Sequence, residues 1–322
     1  MDNFDLVIIG AGSAGCIVAN NIINTTNYRV LLIEAGPSDN NPAIQVPLGY
    51  GMTFYHKTMN WNFYSKTQTE LYNREIYYPR GKVIGGSGSI NAMIYARGLK
   101  SDYENWNFNS NWSWENIKST FNELEYAINE EQNKLPINKI PVNDVSSQHH
   151  QILDNFFKAA KEFRFEFNKQ LKSTTENQVG HYNVNTYKGF RNSSAKSFLK
   201  PIKNNPNLTI LTKTEVLKLK FKNNKISSLN IKYKGKILEV KPKIGTILSS
   251  GSIMTPYLLL KSGIGNSADL NKFNIPVVLN SPHVGKNFQD HLGLDYLYKT
   301  YFPTLNKDLG TWGGRLRSIL HY

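Results

Sequence analysis

The first residues combine two continuous apolar runs with a stretch of helical spacing. Residues 4–9 and 30–33 are apolar almost throughout, which predicts two short strands. Between them, residues 16–23 mix apolar side chains with small and polar ones in the manner of a helix. Residues 1–36 are therefore predicted to form a β-α-β unit.

The middle of the chain changes character several times. Residues 37–47 are rich in turn formers. Residues 50–78 are dense in aromatic residues and predict irregular structure or short strands, with the rings packed on a core rather than stacked on a ligand. Apolar positions at helical spacing predict helices within 101–133 and over 148–167. The segments without such spacing are a loop at 134–147 and a polar stretch at 168–186.

Strands return in the last third of the chain. A short helix is predicted at 191–201, ended by Pro201. Alternating apolar positions then predict a meander with lysine- and asparagine-rich turns, whose strands are 208–211, 216–221, 226–233 and 236–240. A further strand is predicted at 244–249. A helix around 256–260 follows, so the pattern predicts an α/β fold with α+β insertions. Its core is discontinuous, at about 1–100 and 190–298, with a helical and irregular insertion at about 101–189.

Composition supports a soluble globular protein. The 322 residues are 40% hydrophobic, which is enough for one large or two ordinary domains with a sizeable core. The single cysteine, Cys16, excludes an internal disulfide and suits a small packing residue. The N-terminal apolar run has no basic leader and is too short for a signal core or a transmembrane segment. We therefore expect an intracellular location and no membrane partner.

The net charge of +14 adds little to this prediction. The lysines are scattered among asparagines through loops and strand ends, a composition typical of an AT-rich genome. A nucleic-acid partner is not predicted, because the sequence has neither a clustered basic face nor a recognition module.

A glycine-rich turn joins the first predicted strand to its helix. Gly10, Gly12 and Gly15 follow the spacing G-x-G-x-x-G, with Ser13 and Ala14 before the last glycine. Gly10 permits a tight turn, Gly12 lets the backbone approach a pyrophosphate, and Gly15 lets the helix pack closely on the strand. The helix N-terminus adds a dipole that favours phosphate. The turn predicts a dinucleotide site.

Glu34 strengthens this prediction. It ends the second strand, about 20 residues beyond the turn, where a carboxylate can accept hydrogen bonds from an adenosine ribose. The alternative is a plain glycine-rich turn with Glu34 as a solvated carboxylate. The complete order of strand, turn, helix, strand and acid favours the dinucleotide.

Four segments together resemble one enzyme family. The second glycine-rich turn, at 81–91 (GKVIGGSGSIN), resembles the first signature of the glucose-methanol-choline (GMC) oxidoreductases. Residues 251–265 resemble the second signature of that family, and residues 284–292 resemble a further characteristic segment. Residues 33–36 continue its N-terminal unit.

The resemblance implies that the dinucleotide is FAD, bound by a Rossmann-like domain. It places Glu34 on the adenosine ribose beside Ala35, Val216 at the adenine and Gly251 at a strand-to-helix turn near the cofactor. Val216 fits ordinary strand packing equally well. The remaining residues that the resemblance brings to the flavin and pyrophosphate are Gly85, Gly86, Ser87, Asn91 and Ala92, with Asn91 as a donor to the flavin ring. Small residues suit such a turn because they expose backbone N–H groups.

The same resemblance bears on how FAD is attached. Some members of the family bind it covalently through a histidine in the first signature, and Ile90 occupies that place here. An aliphatic side chain cannot form the bond, so noncovalent binding is expected. Gly88 stands where a serine is common, which removes one hydroxyl contact.

No catalytic residue is predicted. In the resembled enzymes, a histidine of a C-terminal region removes the alcohol proton while hydride passes to flavin N5, and this sequence has no matching segment. His291 is expected to be structural, because a base must reach the reacting hydroxyl. His149 and His150 have no third ligand at useful spacing, so no metal site is predicted.

The leading interpretation is a truncated GMC homologue, a pseudoenzyme that holds FAD weakly or has lost it. Residues 1–298 are expected to form the FAD-binding region and residues 299–322 the start of an incomplete substrate domain. One alternative is the N-terminal part of an active FAD-dependent alcohol dehydrogenase or oxidase, completed by a longer reading frame or a second chain. Its substrate would be a small-molecule alcohol. The other is a noncatalytic flavin-binding or interaction protein.

Overall fold

The computed structural model describes residues 3–106, 110–128, 134–223, 225–291, 293 and 296–320. The chain divides into two compact units. The first contains Met1–Ala92 and Arg191–Asp290, and the second contains Met93–Phe190 and His291–Tyr322. Each is described by itself.

The described residues form short strands and mostly short helices. The strands are β1 Leu6–Ile9, β2 Val30–Ile33, β3 Phe63–Tyr64, β4 Tyr77–Tyr78, β5 Ile94–Tyr95, β6 Glu125–Ile128, β7 Ile140–Asn143, β8 Glu166–Gln170, β9 Gln178–His181, β10 Asn183–Val184, β11 Thr186–Tyr187, β12 Phe190–Arg191, β13 Leu208–Leu211, β14 Glu215–Lys222, β15 Lys225–Tyr233, β16 Lys236–Val240, β17 Gly245–Leu248, β18 Ile264–Gly265 and β19 Leu279–Asn280. The helices are α1 Ser13–Thr25, α2 Pro42–Gln45, α3 Tyr50–Thr53, α4 Lys100–Glu104, α5 Trp114–Leu124, α6 Ile152–Glu162, α7 Lys200–Ile202, α8 Gly251–Lys261, α9 Ser267–Lys272, α10 Leu305–Leu309 and α11 Trp312–Leu320. Among the described residues, every helix is too short or too polar to span a bilayer.

A four-stranded parallel sheet in the order β13-β2-β1-β17 is the centre of the first unit. Its two middle strands are almost completely buried, because both faces of the sheet are covered. Ile8 and Leu32 point to one face, where α1 and the segment Ala195–Leu199 pack. The continuous apolar runs of β1 and β2 thus follow from their position in the middle of a covered sheet.

The opposite face of the sheet is covered by a three-stranded antiparallel meander, β14-β15-β16, and by α8. Val7 and Leu31 point to this face and meet Leu219, Leu229 and Ile231 of the meander. These side chains are at most 1% exposed. The predicted meander is confirmed for the strands at 216–221, 226–233 and 236–240, and its pattern alternates because only one side of it faces the sheet. The strand predicted at 208–211 is instead β13 of the parallel sheet.

The second unit is built from smaller sheets. Its largest has four strands in the order β5-β10-β7-β6, in which β6 and β7 pair in parallel and the other pairs are antiparallel. A separate parallel pair is formed by β8 and β9. Helix α5 begins after Ser113, whose Oγ accepts a hydrogen bond from the N–H of Asn116, and it lies within the predicted helical region 101–133.

Several predicted boundaries are wrong. The helix predicted over 148–167 ends at Glu162, because Arg164 has a left-handed backbone with φ +63° and strand β8 follows. The loop predicted at 134–147 contains β7. The polar stretch at 168–186 contains β9, which pairs with the neighbouring β8, and β10, whose partners β5 and β7 lie far away in sequence. Pro201 does not end the predicted helix at 191–201; it lies in the first turn of α7, where its missing N–H costs no hydrogen bond.

Candidate cofactor-binding site

A cavity of about 650 Å³ opens in the first unit, at the carboxyl ends of its parallel strands. Its size is within the usual range for small-molecule and cofactor sites. The predicted residues that line it are Gly10, Gly12, Ser13, Ala14, Glu34, Ala35, Gly86, Ser87, Val216 and Gly251. Four predicted residues do not line it, namely Gly15, Gly85, Asn91 and Ala92.

The first glycine turn is held against the end of β17. Gly10 has φ +100°, and a Cβ on it would lie 2.6 Å from the carbonyl oxygen of Ser249. The hydroxyl of Ser249 donates to the carbonyl oxygen of Gly10 at 2.7 Å. Gly15 lies one turn into α1, where a Cβ would collide with the same Gly10 carbonyl. The roles predicted for these two glycines, a tight turn and close helix packing, therefore match the geometry.

The N-terminus of α1 faces the cavity. The helix begins at Ser13 after Gly12, and its first turn carries no acidic side chain. The free backbone N–H groups at this end make it a favourable place for an anion. The 13-residue length of α1 gives a full helix dipole behind them.

The second glycine turn contacts the first. Gly85 donates its N–H to the carbonyl oxygen of Ala11 at 2.7 Å. Gly86, with φ +57°, approaches so closely that a Cβ on it would lie 2.8 Å from Cα of Gly12. Gly85 supports this contact from behind the cavity wall, which explains why it does not line the cavity.

Glu34 is buried and held by backbone groups. Its side chain accepts hydrogen bonds from the N–H of Ala11 at 3.0 Å and from the N–H of Gly36 at 2.9 Å. The residue is 6% exposed, so its interpretation as a solvated carboxylate is wrong. Burial raises the pKa of Glu34 to about 7, against the opposing effect of the two backbone donors and of the charge on Lys82. Each carboxyl oxygen has a second lone pair, so Glu34 can still accept a ligand hydroxyl.

Val216 and Gly251 line the cavity from different elements. Val216 lies on β14, lines the cavity and also packs against the apolar cluster under the sheet, so ordinary strand packing accounts for part of its surroundings and its contact with adenine stays a prediction. Gly251 begins α8 with φ +79°, and the space around its missing Cβ is open. Glycine is needed there for the left-handed backbone rather than for close packing.

Asn91 lies behind the second turn. Its Oδ1 accepts a hydrogen bond from Nη1 of Arg191 at 2.8 Å, which fixes the orientation of the amide. Arg191 was not among the residues predicted for the site. Nothing in its local sequence distinguishes it, because its partners lie about a hundred positions earlier in the chain.

Two aromatic side chains complete the wall. Trp61 and Phe63 stack with ring centroids 5.7 Å apart, and both line the cavity. The Nζ of Lys82 lies 4.4 Å from the Trp61 ring centroid, a cation–π contact. The expectation that the aromatics of residues 50–78 only pack on a core therefore missed these two rings.

The described residues include no group of three or more histidine, cysteine, aspartate or glutamate side chains able to hold a metal ion. In the same part of the chain, no histidine lines the cavity. His149 instead bonds Asp154 at 3.0 Å in the second unit. The site can thus bind and orient a ligand through backbone groups, carboxyl groups and flat aromatic surfaces.

Comparison with known proteins identifies the family. Residues 4–293 match the GMC oxidoreductase family. The chain is 37% identical over 299 residues to an alcohol dehydrogenase [acceptor] of Pseudomonas putida, covering 90% of this chain and 54% of that protein. It is 32% identical to the mitochondrial choline dehydrogenase of Mus musculus, covering 90% of this chain and 50% of that protein.

Solved structures agree with this assignment and confirm the predicted fold. The pyridoxine 4-oxidase from Mesorbium loti superimposes with a TM-score of 0.80 at 27% identity, over 87% of this chain and 56% of that one. A formate oxidase superimposes with a TM-score of 0.77 at 25% identity, over 88% and 52%. The chain spans about half the length of the relatives it matches. It belongs to the GMC oxidoreductases, a family of FAD-dependent enzymes.

Proposed function

We propose that this chain binds FAD noncovalently in the cavity of its first unit. The observation that carries the proposal is the contact of two glycine turns from distant parts of the sequence, with a Cβ on Gly86 only 2.8 Å from Gly12. A side chain at position 86 would fill the space between the two glycine turns, whose backbones both face the cavity. Such a cradle of small residues suits a pyrophosphate and a flat ring system.

Different parts of the cavity fit different parts of FAD. The N–H groups at the start of α1 suit the pyrophosphate, since the helix dipole and free donors both favour negative charge. Glu34 is held where it can accept from a ribose hydroxyl, and Ala35 and Val216 offer an apolar wall for adenine. Gly86 and Ser87 form the wall proposed for the flavin, with Asn91 supporting it from behind.

The residues present fit noncovalent binding. Ile90 is 2% exposed and belongs to a small apolar cluster with Ile44, Met59 and Val83. A buried aliphatic side chain has neither the nucleophile nor the access that a covalent flavin link requires. Denaturation should therefore release any bound flavin intact.

When bound, FAD supplies the chemistry of hydride acceptance. The chain itself contributes binding and orientation, but no described histidine lines the cavity to remove a proton from an alcohol. Glu34 is the buried carboxyl of the site, and both its oxygens already accept backbone hydrogen bonds. We therefore propose that the chain alone holds FAD without oxidising alcohols, with residues 1–298 as the FAD-binding region.

A second candidate function is supported by the 37% identity to the alcohol dehydrogenase of Pseudomonas putida. In this case the chain is the FAD-binding half of an alcohol dehydrogenase or oxidase, and residues 299–322 begin a substrate domain. Both candidates require the same cavity. They differ in whether the FAD-bound chain oxidises an alcohol once a longer reading frame or a second chain completes it.

The deciding experiment measures flavin content and alcohol-dependent dye reduction on the same purified chain. The first proposal predicts flavin absorbance after incubation with FAD and no alcohol-dependent reduction of the dye. Bound FAD with turnover would contradict the first proposal, and turnover only after a C-terminal substrate domain completes the chain would favour the second candidate. Failure to take up FAD would contradict both.

A further inference from the structure

Arg191 is a buried cation behind the second glycine turn. It is 2% exposed and donates four hydrogen bonds. Its Nε bonds the carbonyl oxygen of Ile44 at 2.8 Å, and Nη1 bonds the carbonyl oxygen of Gly88 at 3.2 Å. Asn91 supplies the other two acceptors, Oδ1 to Nη1 at 2.8 Å and its carbonyl oxygen to Nη2 at 2.7 Å.

Most of these acceptors belong to one short segment. Gly88 lies in the single turn of 3₁₀ helix Gly86–Ser89, and Asn91 follows two residues later. The planar guanidinium therefore joins the carbonyl oxygen of Gly88 to the carbonyl oxygen and the side-chain amide of Asn91. Its Nε ties the same group to Ile44, which packs with Ile90 in the small apolar cluster. Since guanidinium donors have a fixed geometry, this arrangement holds the segment in one conformation.

A purely structural role explains this arrangement poorly. Burying a charge is costly, and no described carboxylate lies within ion-pair distance of Arg191 to compensate. Burial lowers the pKa of Arg191 to about 10, which still leaves it charged at neutral pH. All four bonds go to neutral oxygens. One of them holds Gly88, next to the cavity-lining Gly86 and Ser87, and two hold Asn91, just after that turn.

We propose that Arg191 is a positioning residue that holds the second glycine turn in its binding conformation before FAD arrives. The proposal rests on the proposed function, because it concerns the same cavity. Arg191 does not line the cavity and acts through Gly88 and Asn91. Preorganisation of this kind improves affinity, because the cofactor does not have to order the turn on binding.

The first test needs no variant. Amide hydrogen exchange of the cofactor-free chain should already show protection at Ile90 and Asn91, whose N–H groups bond the carbonyl oxygen of Ser87. Addition of FAD should change this protection little. Fast exchange at both amides that becomes slow only with FAD would overturn the proposal, because the cofactor would then order the turn.

The second test compares Arg191→Lys with Arg29→Lys. Lysine keeps the charge at position 191 but cannot reproduce the fork of four bonds. We expect faster exchange across residues 85–92, unchanged exchange in residues 10–15 and an FAD Kd raised by about tenfold or more. Arg29 is an exposed arginine away from the cavity, so its variant should behave as wild type.

These outcomes separate the two proposals. If wild type takes up no FAD, the proposed function fails. If wild type binds FAD and Arg191→Lys shows the same Kd and the same exchange over residues 85–92, only the role of Arg191 fails. If Arg191→Lys does not fold, amide hydrogen exchange of the wild type still tests the role of Arg191. Protection of Ile90 and Asn91 without FAD supports the proposal, and the absence of that protection contradicts it.

Discussion

Gly86 approaches Gly12 so closely that a Cβ on Gly86 would lie 2.8 Å from Cα of its partner. The two residues belong to different glycine turns, one after β1 and one far along the chain. Their contact brings the backbone of both turns to one wall of the cavity. The close approach of the two turns therefore depends on the absence of a side chain at Gly86.

The first prediction concerns Gly86→Ala, with Gly235→Ala as its control. Both glycines have a left-handed backbone, φ +57° and φ +78°, so each substitution strains the chain by roughly 1–2 kcal/mol. The Cβ at 235 meets open space, whereas the Cβ at 86 meets Gly12. We expect a loss of thermal stability in both variants, larger in Gly86→Ala because its Cβ must also displace Gly12, and weaker FAD binding, by about tenfold or more, only in Gly86→Ala. Equal FAD affinities measured by fluorescence titration would contradict this.

The second prediction concerns Glu34 and pH. Burial raises the pKa of Glu34 from 4.5 to about 7, so the folded chain binds this proton more tightly than the unfolded chain. The stability gained is fully present below about pH 4.5 and is lost as the pH rises through about 7. The free energy of unfolding of wild type should thus fall relative to Glu34→Gln by on the order of 3 kcal/mol over this range.

Denaturant unfolding of both proteins at several pH values measures this difference. Glutamine is neutral throughout, so the comparison isolates the titration of position 34. A difference that does not change between pH 4.5 and 7 would show that Glu34 titrates normally in the folded chain.

The third prediction concerns Ser249. Its hydroxyl donates to the carbonyl oxygen of Gly10 at 2.7 Å and lies within reach of that of Ile9 at 3.1 Å. Ser249→Ala should destabilise the chain by about 1 kcal/mol and weaken FAD binding several-fold, because the first turn loses its support. Ser227→Ala is the matched control, since that exposed hydroxyl bonds a carbonyl in the meander. Unchanged FAD affinity in Ser249→Ala would show that the turn does not need this bond.

The fourth prediction concerns the attachment of FAD. Because Ile90 stands in place of a reactive side chain and is buried, acid precipitation of the loaded chain should leave all flavin in the supernatant. Absorbance of the supernatant and of the washed pellet measures the partition. Flavin retained in the pellet would indicate a covalent link at another residue.

Local sequence predicted the central part of the fold and the first turn. The apolar runs of β1 and β2 and the spacing of Gly10, Gly12 and Gly15 depend on neighbours in sequence, so their signals are strong. Glu34 was recognised by its distance from this turn. Its burial and raised pKa were not predictable, because they arise from backbone groups around it in the folded chain.

Features that depend on distant partners were missed. Arg191 lies between Phe190 and a run of polar residues without a motif, and only folding brings it to Gly88 and Asn91. Trp61 and Phe63 lie in an aromatic segment, and aromatic residues give the same sequence pattern whether they pack on a core or line a cavity. Strands β7 and β10 were not predicted because each is short and partly polar. They are held as strands by pairing with each other, which the local sequence does not indicate.

The most direct test of the account is a calorimetric titration of the cofactor-free chain with FAD, repeated in the presence of ADP. We predict one FAD per chain and competition by ADP, since the first glycine turn and Glu34 should hold the ADP half of the cofactor. The absence of FAD binding by a folded chain, or binding that saturating ADP leaves unchanged, would contradict the proposed site.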